Sequence, residues 1–300
     1  MKILNFGSLN IDYVYAVDHF VRPGETLASS GREVFPGGKG LNQSVALARA
    51  GADVWHAGGI GAGDGAFLKH MLEKNGVHTD YVCEYDMATG HTIIQVDKSG
   101  QNCILLYGGA NRVNTPEFVD KVLDGFSAGD YLVLQNEINA VDYIMKKAHE
   151  LGMVIFLNPS PYDTAIAALP LRYVDCFLLN EIEAEDICGA DSADPQNLLD
   201  VLGKKFPAAK IVLTLGKGGV IYKAGTSIFR HGIYKVPVVD TTAAGDTFTG
   251  FFISCIARGM DIPDVLRYAS VASSIAVSRK GAAPSIPSFT EVETAKLDPA

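Results

Sequence analysis

The chain has 300 residues, 48% hydrophobic and 20% charged, which suffices for one large α/β domain or two small ones. Its net charge of −9 and pI near 5.2 argue against a nucleic-acid partner, which requires a basic surface. The five cysteines are scattered and odd in number, which is typical of a reducing cytoplasm. No apolar run approaches the ~20 residues of a membrane span, and the N-terminal apolar run ends too early for a signal peptide. We therefore expect a soluble, cytoplasmic protein that acts on small molecules.

Along the chain, short apolar runs bounded by Gly, Asn and Pro alternate with helical patterns. The predicted strands are residues 3–9, 54–60, 131–134, 154–157, 176–179 and 211–215. The predicted helices are residues 41–50, 67–75, 141–151, 196–205, 246–258 and 262–279. This alternation predicts an α/β fold with a mainly parallel sheet that helices cover on both faces.

Two segments, residues 11–36 and 89–108, carry strand-like pieces with no helix between them. Within the second, residues 91–97 and 102–107 form a hairpin pattern, which cannot be an internal parallel pair. We expect these segments to form a small β-sheet that acts as a lid, because insertions in open α/β sheets lie near the ligand site. The alternative is a peripheral hairpin without a gating role. No linker composition marks a second domain, so residues 1–300 are expected to form a single one.

The most informative stretch is residues 240–252 (DTTAAGDTFTGFF), where small residues surround Asp246 and a helical pattern follows. A loop that turns into a helix leaves the N–H groups of residues 243–246 without intrahelical partners, and such a terminus attracts phosphate. A carboxylate in that turn would repel phosphate. Its presence is explained if Asp246 accepts a proton from a hydroxyl while the N–H groups bind the phosphoryl group under attack. The alternative is an ordinary acidic first-turn residue with small neighbours for packing.

A second glycine-rich segment, residues 37–42 (GGKGLN), precedes the helix predicted at 41–50. Its glycines allow a ligand to approach the backbone, and Lys39 and Asn42 supply polar contacts. No Ser or Thr follows the lysine, so this is not a Walker A loop, and a surface turn is the alternative. Residues 58–65 (GGIGAGDG) lack the GxGxxG spacing, which disfavours a dinucleotide-dependent oxidoreductase and predicts a tight strand-to-helix turn.

Polar residues follow the predicted strands at the edge where an open α/β sheet binds its ligand. They are Asn10, Asp12, Glu137, Asn158, Asn180, Glu181, Glu183, Thr214 and Gly216. The segment 180–183 (NEIE) opens a short helix, so helix capping explains its polar residues. Outer-sphere ligation of Mg²⁺, which needs few carboxylates, is an equally good explanation.

Two motifs together are specific. Residues 37–43 (GGKGLNQ) and 240–248 (DTTAAGDTF) are similar to the two signatures of the ribokinase family, the phosphofructokinase-B-type sugar kinases. Further motifs of this family follow in its order, at residues 7–12 (GSLNID), 23–26 (PGET), 109–111 (GAN), 158–159 (NP), 180–183, 214–219 (TLGKGG) and 279–285 (RKGAAPS). The resemblance therefore extends from about residue 3 to residue 288.

The resemblance implies a doubly wound sheet with a β lid, and ATP-dependent transfer of a phosphoryl group to a sugar. Asp246 would be the general base, and the N–H groups of Ala243, Ala244 and Gly245 would form the anion hole. The residues implied to bind sugar hydroxyls are Asn10, Asp12, Gly38, Lys39, Asn42 and Glu137. The residues implied to face ATP and its Mg²⁺ are Asn180, Glu183, Thr214, Gly216 and Gly219.

Two further properties follow from the resemblance. Family members often use K⁺ near the anion hole, and the matching ligands are one carboxylate, four backbone oxygens and one hydroxyl. They belong to Asp240, Thr242, Ala276, Arg279, Gly281 and Ser285. Many members dimerise through the lid, so a homodimer is expected.

Several positions depart from the pattern of similar family members and bear on specificity. Thr92 lies on the lid where a small apolar residue is usual, with His91 beside it, and Leu106 and Tyr107 alter the second lid strand. Thr92 and Leu106 are therefore expected to contact the substrate. Asn136 precedes Glu137 where an apolar residue is usual, and Ser270 occupies a position against the adenine.

More than one function stays open on the sequence alone. The first is an ATP-dependent kinase that phosphorylates a primary hydroxyl, with ribose the leading substrate. A fructose or nucleoside kinase is the alternative within the same class, since single polar changes alter specificity strongly. A catalytically silent sugar sensor on the kinase fold is the alternative from another class, because fold alone does not determine activity. The presence of Asp246, the glycine-flanked turn and the NEIE segment argues against the silent protein.

Overall fold

The computed structural model describes residues 1–189 and 194–300. In chain order its strands are β1 (Ile3–Phe6), β2 (Asn10–Ala16), β3 (Gly31–Gly37), β4 (Val54–Gly61), β5 (His78–Tyr85), β6 (Gly90–Val96), β7 (Asn102–Tyr107), β8 (Tyr131–Gln135), β9 (Val154–Asn158), β10 (Cys176–Asn180), β11 (Lys210–Thr214), β12 (Val220–Ala224) and β13 (Ser227–His231). Its α-helices are α1 (Lys39–Arg49), α2 (Ala66–Lys74), α3 (Pro116–Leu123), α4 (Val141–Glu150), α5 (Glu181–Cys188), α6 (Pro195–Lys205), α7 (Ala244–Ala257), α8 (Ile262–Val277) and α9 (Phe289–Thr294). In these two ranges no helix combines the length and the hydropathy that a bilayer crossing requires.

The main sheet has the strand order β13-β12-β11-β10-β9-β8-β1-β4-β5. In this spatial order, all neighbouring strands between β11 and β5 pair in parallel. Strands β12 and β13 are added in antiparallel pairing at one edge. The mainly parallel sheet is therefore confirmed, and five predicted strands agree within one residue. The prediction of a strand over residues 3–9 is wrong beyond Phe6. There the chain turns to pass close to Gly40, whose missing side chain lets α1 approach the backbone of Gly7 and Ser8.

The core occupies both faces of this sheet. Successive residues of a strand point to opposite faces, so Val133 packs beneath α1, α7 and α8 while Leu132 and Leu134 pack beneath α3 to α6. Large buried side chains fill each layer, including Phe251 on the first face and Phe177 on the second. Helices on both faces make the sheet doubly wound, as expected.

A second sheet has the order β3-β2-β6-β7, with β2 and β6 parallel and the other neighbours antiparallel. The hairpin predicted from residues 91–97 and 102–107 is confirmed as β6 and β7. The register aligns Phe35, Asp12, Thr92 and Leu106 in one row across the sheet. Directly opposed residues of neighbouring strands share a face, so these four side chains lie on the same side of the second sheet.

The carboxyl ends of the parallel strands meet along one edge of the main sheet. Gln135 and Asn158 end β8 and β9 in register, and Asn180 and Thr214 end β10 and β11 in register. This edge is where open α/β sheets bind ligands. The polar residues found at strand ends in the sequence therefore belong to one neighbourhood.

Candidate active site

Helix α1 begins abruptly after β3, at Gly38. Gly38 has φ 93°, a left-handed conformation that only glycine adopts readily, and it allows the strand to turn directly into the helix. The hydroxyl of Ser8 accepts a hydrogen bond from the Gly40 N–H (3.1 Å) and so satisfies one free donor of the first turn. As a result, the first turns of α1 are buried and carry Asn42 and Gln43 into the interior.

Helix α7 begins at a second unusual turn. Ala243 precedes it with φ 60°, a left-handed conformation that costs a non-glycine residue roughly 1–2 kcal/mol. Among the residues that the structure describes, the N–H groups of Ala243, Gly245 and Asp246 donate to no carbonyl or side chain. A methyl group placed on Gly245 would meet no atom, so this turn borders open space. Free N–H groups at a helix N-terminus form a site that attracts anions.

Asp246 lies in the first turn of α7 and is 7% exposed. Its Oδ2 accepts a hydrogen bond from Asn42 Nδ2 (3.0 Å), and its Oδ1 accepts one from Gln43 Nε2 (2.9 Å). Each carboxylate oxygen is therefore held by an amide of α1. The Oδ1 of Asn42 is buried without a partner in the described part of the chain, so it can accept a hydrogen bond from a ligand hydroxyl.

Glu137 and Lys39 lie next to this carboxylate. Glu137 Oε2 accepts hydrogen bonds from the Ser8 hydroxyl and from the Lys39 N–H (2.9 Å). Burial raises the pKa of Glu137, although the hydrogen bond from Ser8 and the charge of Lys39 oppose this shift. Burial works to lower the pKa of Lys39, but the charges of Asp246 and Glu137 outweigh it and raise that pKa above its ordinary value. The Lys39 side chain is therefore an ammonium ion among carboxyl groups.

Asp12 extends the cluster from the second sheet. Its Oδ1 accepts a hydrogen bond from the Thr92 hydroxyl (2.5 Å). Burial raises the pKa of Asp12 to about 6, with contributions from the charges of Glu137 and Asp246, while the Thr92 hydrogen bond works in the opposite direction. The predicted sugar-binding groups of the second sheet thus adjoin those of α1. Leu106 lies opposite Thr92 at the rim and is 38% exposed.

Asn10 completes this group of side chains and is almost fully buried. Its Oδ1 accepts a hydrogen bond from Asn111 Nδ2 (2.7 Å), while Asn111 Oδ1 accepts the Leu9 N–H (2.9 Å). Because Asn111 fixes the amide oxygen of Asn10, the amide nitrogen of Asn10 is the group that remains for a ligand.

Two cavities meet at the turn before α7. The first has a volume of about 240 Å³, and its lining includes Lys39, Asn180, Glu183, Thr214, Ala243, Ala244, Gly245 and Asp246. The second has a volume of about 160 Å³, and its lining includes Thr214, Gly216, Gly219, Ala244, Gly245 and Ser270. Thr214, Ala244, Gly245 and Phe248 line both. A larger cavity of about 390 Å³ lies beside Cys188 and Phe206 and contains none of the predicted site residues.

Asn180 and Glu183 form a capping box at the start of α5. The Asn180 Oδ1 accepts the Glu183 N–H (2.9 Å), and the Glu183 Oε2 accepts the Asn180 N–H (3.0 Å). The capping explanation of the NEIE segment is thus confirmed. Asn180 and Glu183 also line the first cavity. Each carboxylate oxygen of Glu183 has a further lone pair that can accept a hydrogen bond from a metal-bound water.

The comparisons with known proteins agree with this geometry. A model of the pfkB family carbohydrate kinases matches residues 1–288. The chain belongs to this family. The ribokinase of Staphylococcus aureus is 35% identical over 97% of this chain and 98% of its own, and that of Schizosaccharomyces pombe is 37% identical over 98% and 97%. The structure of Arabidopsis thaliana ribokinase complexed with ribose and ATP has a TM-score of 0.87 and 28% identity, with 97% of both chains covered. The predicted family, fold and enzyme class, an ATP-dependent carbohydrate phosphotransferase, are confirmed.

The residues that the family resemblance implies as K⁺ ligands are partly in mutual contact. Asp240 Oδ1 accepts the Thr242 N–H (2.9 Å), and Asp240 Oδ2 accepts the Gly281 N–H (3.0 Å). Burial works to raise the pKa of Asp240, but these hydrogen bonds hold it below its ordinary value. The Ser285 hydroxyl is buried and donates to the Ala282 carbonyl (2.8 Å). The Ala276 carbonyl accepts the Arg279 N–H (3.0 Å), so these two residues share the turn that ends α8.

Three side chains in this pfkB-family site carry no role in the sequence analysis. They are Ser8, which holds Glu137, Asn111, which holds Asn10, and Gln43, which holds Asp246. Each lies inside one of the family motifs, and Gln43 directly follows Asn42. Their contacts span more than a hundred residues of chain, so spacing gives no signal for them.

Proposed function

We propose that the protein is an ATP-dependent sugar kinase that transfers the γ-phosphoryl group of ATP to the primary hydroxyl of ribose. One observation carries the proposal: the carboxylate of Asp246 shares a helix turn with N–H groups that have no partner within the described residues. A proton acceptor and an anion-binding group side by side suit phosphoryl transfer to an alcohol. The relatives named ribokinase, and the structural neighbour solved with ribose and ATP, support the choice of substrates.

The proposed chemistry is a direct transfer. Asp246 accepts the hydroxyl proton as the sugar oxygen attacks the γ-phosphorus, and the bond to the β,γ-bridging oxygen breaks to leave ADP. The free N–H groups of Ala243 and Gly245 stabilise the negative charge that spreads over the transferred group, whereas that of Ala244, the third member of the predicted anion hole, donates to the Thr241 carbonyl (3.3 Å). The ammonium group of Lys39 lies near enough to Asp246 to interact with its charge and adds positive potential at the same place.

The sugar would occupy the space between the second sheet and α1. Asn10, Asp12 and Glu137 belong to the buried group around Lys39, and the free Oδ1 of Asn42 supplies one more acceptor. Gly38 offers backbone without a side chain in the way. Thr92 and Leu106 would contact the sugar from the lid, where the Thr92 hydroxyl already engages one oxygen of Asp12.

ATP would occupy the two adjoining cavities. The proposed contacts are Asn180, Glu183, Thr214, Gly216, Gly219 and Ser270, with Ser270 toward the adenine. Mg²⁺ would be held through water by Asn180 and Glu183, and it would supply positive charge that offsets the charge of the phosphates. The cavity lining supports this placement of ATP, since the two cavities share the turn at Ala244 and Gly245, where the phosphates would bind.

The test of the proposed function is an ADP-release assay over pentoses, hexoses and nucleosides. We expect ribose to give the highest kcat/KM, and an ATP-dependent mass gain of one phosphate on its primary hydroxyl. A preference for fructose or for a nucleoside would keep the kinase and replace the substrate. Failure to release ADP with every sugar, in a protein that still binds one, would establish the silent sensor instead.

A monovalent cation site is proposed at Asp240, Thr242, Ala276, Arg279, Gly281 and Ser285. Asp240 is the anchor, because its depressed pKa keeps a carboxylate beside the turn that begins α7. We expect kcat to be higher in K⁺ than in Na⁺ at constant ionic strength, since the larger ion suits a ring of backbone oxygens. Initial rates in KCl, NaCl and choline chloride measure this, and equal rates in all three salts would count against the site.

We propose further that residues 1–300 form one kinase domain whose second sheet is a lid, and that the protein works in the cytoplasm as a homodimer. Strand β7 supports the dimer, since Leu105 and Ile104 are 67% and 55% exposed. Apolar side chains at this exposure on an edge strand favour pairing with another surface. Light scattering measures it, and a mass near the 32.0 kDa of one chain at micromolar concentration would exclude the dimer.

A further inference from the structure

A chain of buried side-chain amides leads from the backbone of α1 to Asp246. Asn5 Nδ2 donates to the Gly40 carbonyl (2.7 Å), and Asn5 Oδ1 accepts from Gln135 Nε2 (2.9 Å). The same Gln135 nitrogen donates to Gln43 Oε1 (2.7 Å), and Gln43 Nε2 donates to Asp246 Oδ1 (2.9 Å). Asn5, Gln135 and Gln43 are at most 1% exposed. No substrate atom is needed to complete this amide chain.

The orientation of every amide in this chain follows from the Gly40 carbonyl, the backbone acceptor at its beginning. A backbone carbonyl can only accept, so Asn5 must present its nitrogen to Gly40 and its oxygen to Gln135. Gln135 must then present its nitrogen to both neighbours, which obliges Gln43 to turn its oxygen toward Gln135. The nitrogen of Gln43 is thereby directed at Asp246. If any one of the three amides were flipped, oxygen would face oxygen or nitrogen would face nitrogen in a buried contact. Such unpaired buried polar groups cost free energy.

A second anchor fixes Gln43 in the same sense. Asn158 Nδ2 donates to the Leu178 carbonyl (2.8 Å), so its Oδ1 is the atom that faces Gln43 Nε2, at 3.5 Å. Two backbone carbonyls, one in α1 and one in β10, thus determine the same orientation of one amide. The nitrogen of Gln43 has two hydrogens, which these two acceptors can share.

The end of the amide chain opposite Asp246 carries no charge. Asn5 Nδ2 also donates to the Ser44 hydroxyl (2.8 Å), which leaves the hydroxyl hydrogen for His56 Nδ1 (2.8 Å). Burial lowers the pKa of His56 to about 4, so its ring is neutral and can accept. The amide chain therefore runs from the neutral ring of His56 at one end to the carboxyl group of Asp246 at the other.

We propose that Gln43 is a positioning residue for the catalytic base, and that its amide is locked through Gln135, Asn5 and Asn158 so that it can only donate to Asp246. This inference rests on the proposed function. A carboxylate that receives a fixed donor on Oδ1 and the Asn42 amide on Oδ2 cannot rotate about its last bond without losing both. Its lone pairs stay aimed at the place of the sugar hydroxyl from which they take the proton.

The decisive variant is Gln43→Glu, which keeps the size of the side chain and an acceptor for Gln135. It replaces the donor at Asp246 with an oxygen about 2.9 Å away. Two carboxyl groups this close share a proton, so the base is blocked at neutral pH and freed only when the pair loses that proton. We expect kcat at pH 7 to fall by about 10²-fold and to recover as the pH rises, with little change in the KM for ATP.

The other charged groups that act on Asp246 are Lys39, Glu137 and Asp12, and all are retained in this variant. The shift of the kcat–pH curve is therefore due to residue 43. A second variant, Gln43→Met, removes the donor without adding an acid. We expect it to lower kcat by about 10-fold or more at every pH, without recovery, because the base is no longer held.

The matched control is Ser254→Ala. It removes another buried hydrogen bond between α7 and α1, from the Ser254 hydroxyl to the Leu47 carbonyl (3.0 Å), and neither residue lines the two cavities. We expect a lower melting temperature and an unchanged kcat–pH curve. A Gln43→Glu curve that superimposes on the wild type, or a folded Gln43→Met protein with wild-type kcat, would overturn the positioning role while leaving the kinase intact. A wild-type protein without activity on any sugar would overturn the kinase and the positioning role together.

Discussion

Asp246→Asn is expected to lower kcat by about 10²–10⁴-fold, the contribution of a positioned general base. Asparagine keeps the shape of the side chain but cannot take the hydroxyl proton. Its NH₂ group also opposes the amide of either Asn42 or Gln43, each of which donates to one oxygen of Asp246. ATP affinity should change little, because the N–H groups of the turn remain. Steady-state kinetics with ribose and calorimetric titration of ATP measure the two effects separately.

Asp264→Asn is the matched control for this substitution. Asp264 also lies in the first turn of a helix, α8, but it is exposed and pairs with Arg267 (3.2 Å) at the surface. Surface pairs of this kind contribute little to stability, so kcat and the melting temperature should both stay near wild type. If Asp246→Asn keeps most of the wild-type turnover, another group must accept the proton.

The elements that the sequence predicts are those with continuous apolar runs. The buried parallel strands belong to this class, and the helices between them are predicted from the helical spacing of their apolar residues. Strands β5 and β13 are the two edge strands of the main sheet and few of their residues are buried, so their apolar pattern is interrupted. Strand β12 lies beside β13, and its buried run of three residues is shorter than the apolar runs of the predicted strands. Helix α3 has eight residues, with Val119, Val122 and Leu123 buried, and two turns are too short for a clear helical period.

The candidate site likewise has parts that the sequence predicts and parts that it does not. The turn around Asp246 is predictable because small residues and one acid before an apolar helix have few explanations. The left-handed Ala243 is not predictable, since alanine rarely adopts that conformation and the fold imposes it. The amide chain through Gln135 and Asn5 is not predictable either. Its members come from β8, β1 and α1, and only the parallel register of the sheet brings them together.

Asp12→Asn is expected to stabilise the protein at neutral pH and to weaken sugar binding. Folding raises the pKa of Asp12 from 3.8 to about 6, chiefly through burial. A carboxyl group whose pKa is higher in the folded state contributes stability below its unfolded pKa, and this contribution is lost as the pH rises through the folded one. At pH 7 the ionised Asp12 therefore destabilises the fold by about 3 kcal/mol, from 1.36 kcal/mol per pKa unit. Asparagine stays neutral and still accepts the Thr92 hydroxyl.

Urea unfolding from pH 4 to pH 8 measures this effect. The free energy of unfolding of Asp12→Asn should exceed that of the wild type by about 2–3 kcal/mol at pH 7, and the difference should shrink toward zero near pH 4. Asp264→Asn, an exposed acid, should show no such pH dependence, and a constant gain for Asp12→Asn at all pH values would refute burial as its cause.

Ionised Asp12 is also the proposed acceptor of sugar hydroxyls. The wild-type KM for sugar should therefore rise below about pH 6, whereas that of Asp12→Asn should be high throughout, because the same buried charge that weakens the fold binds the substrate.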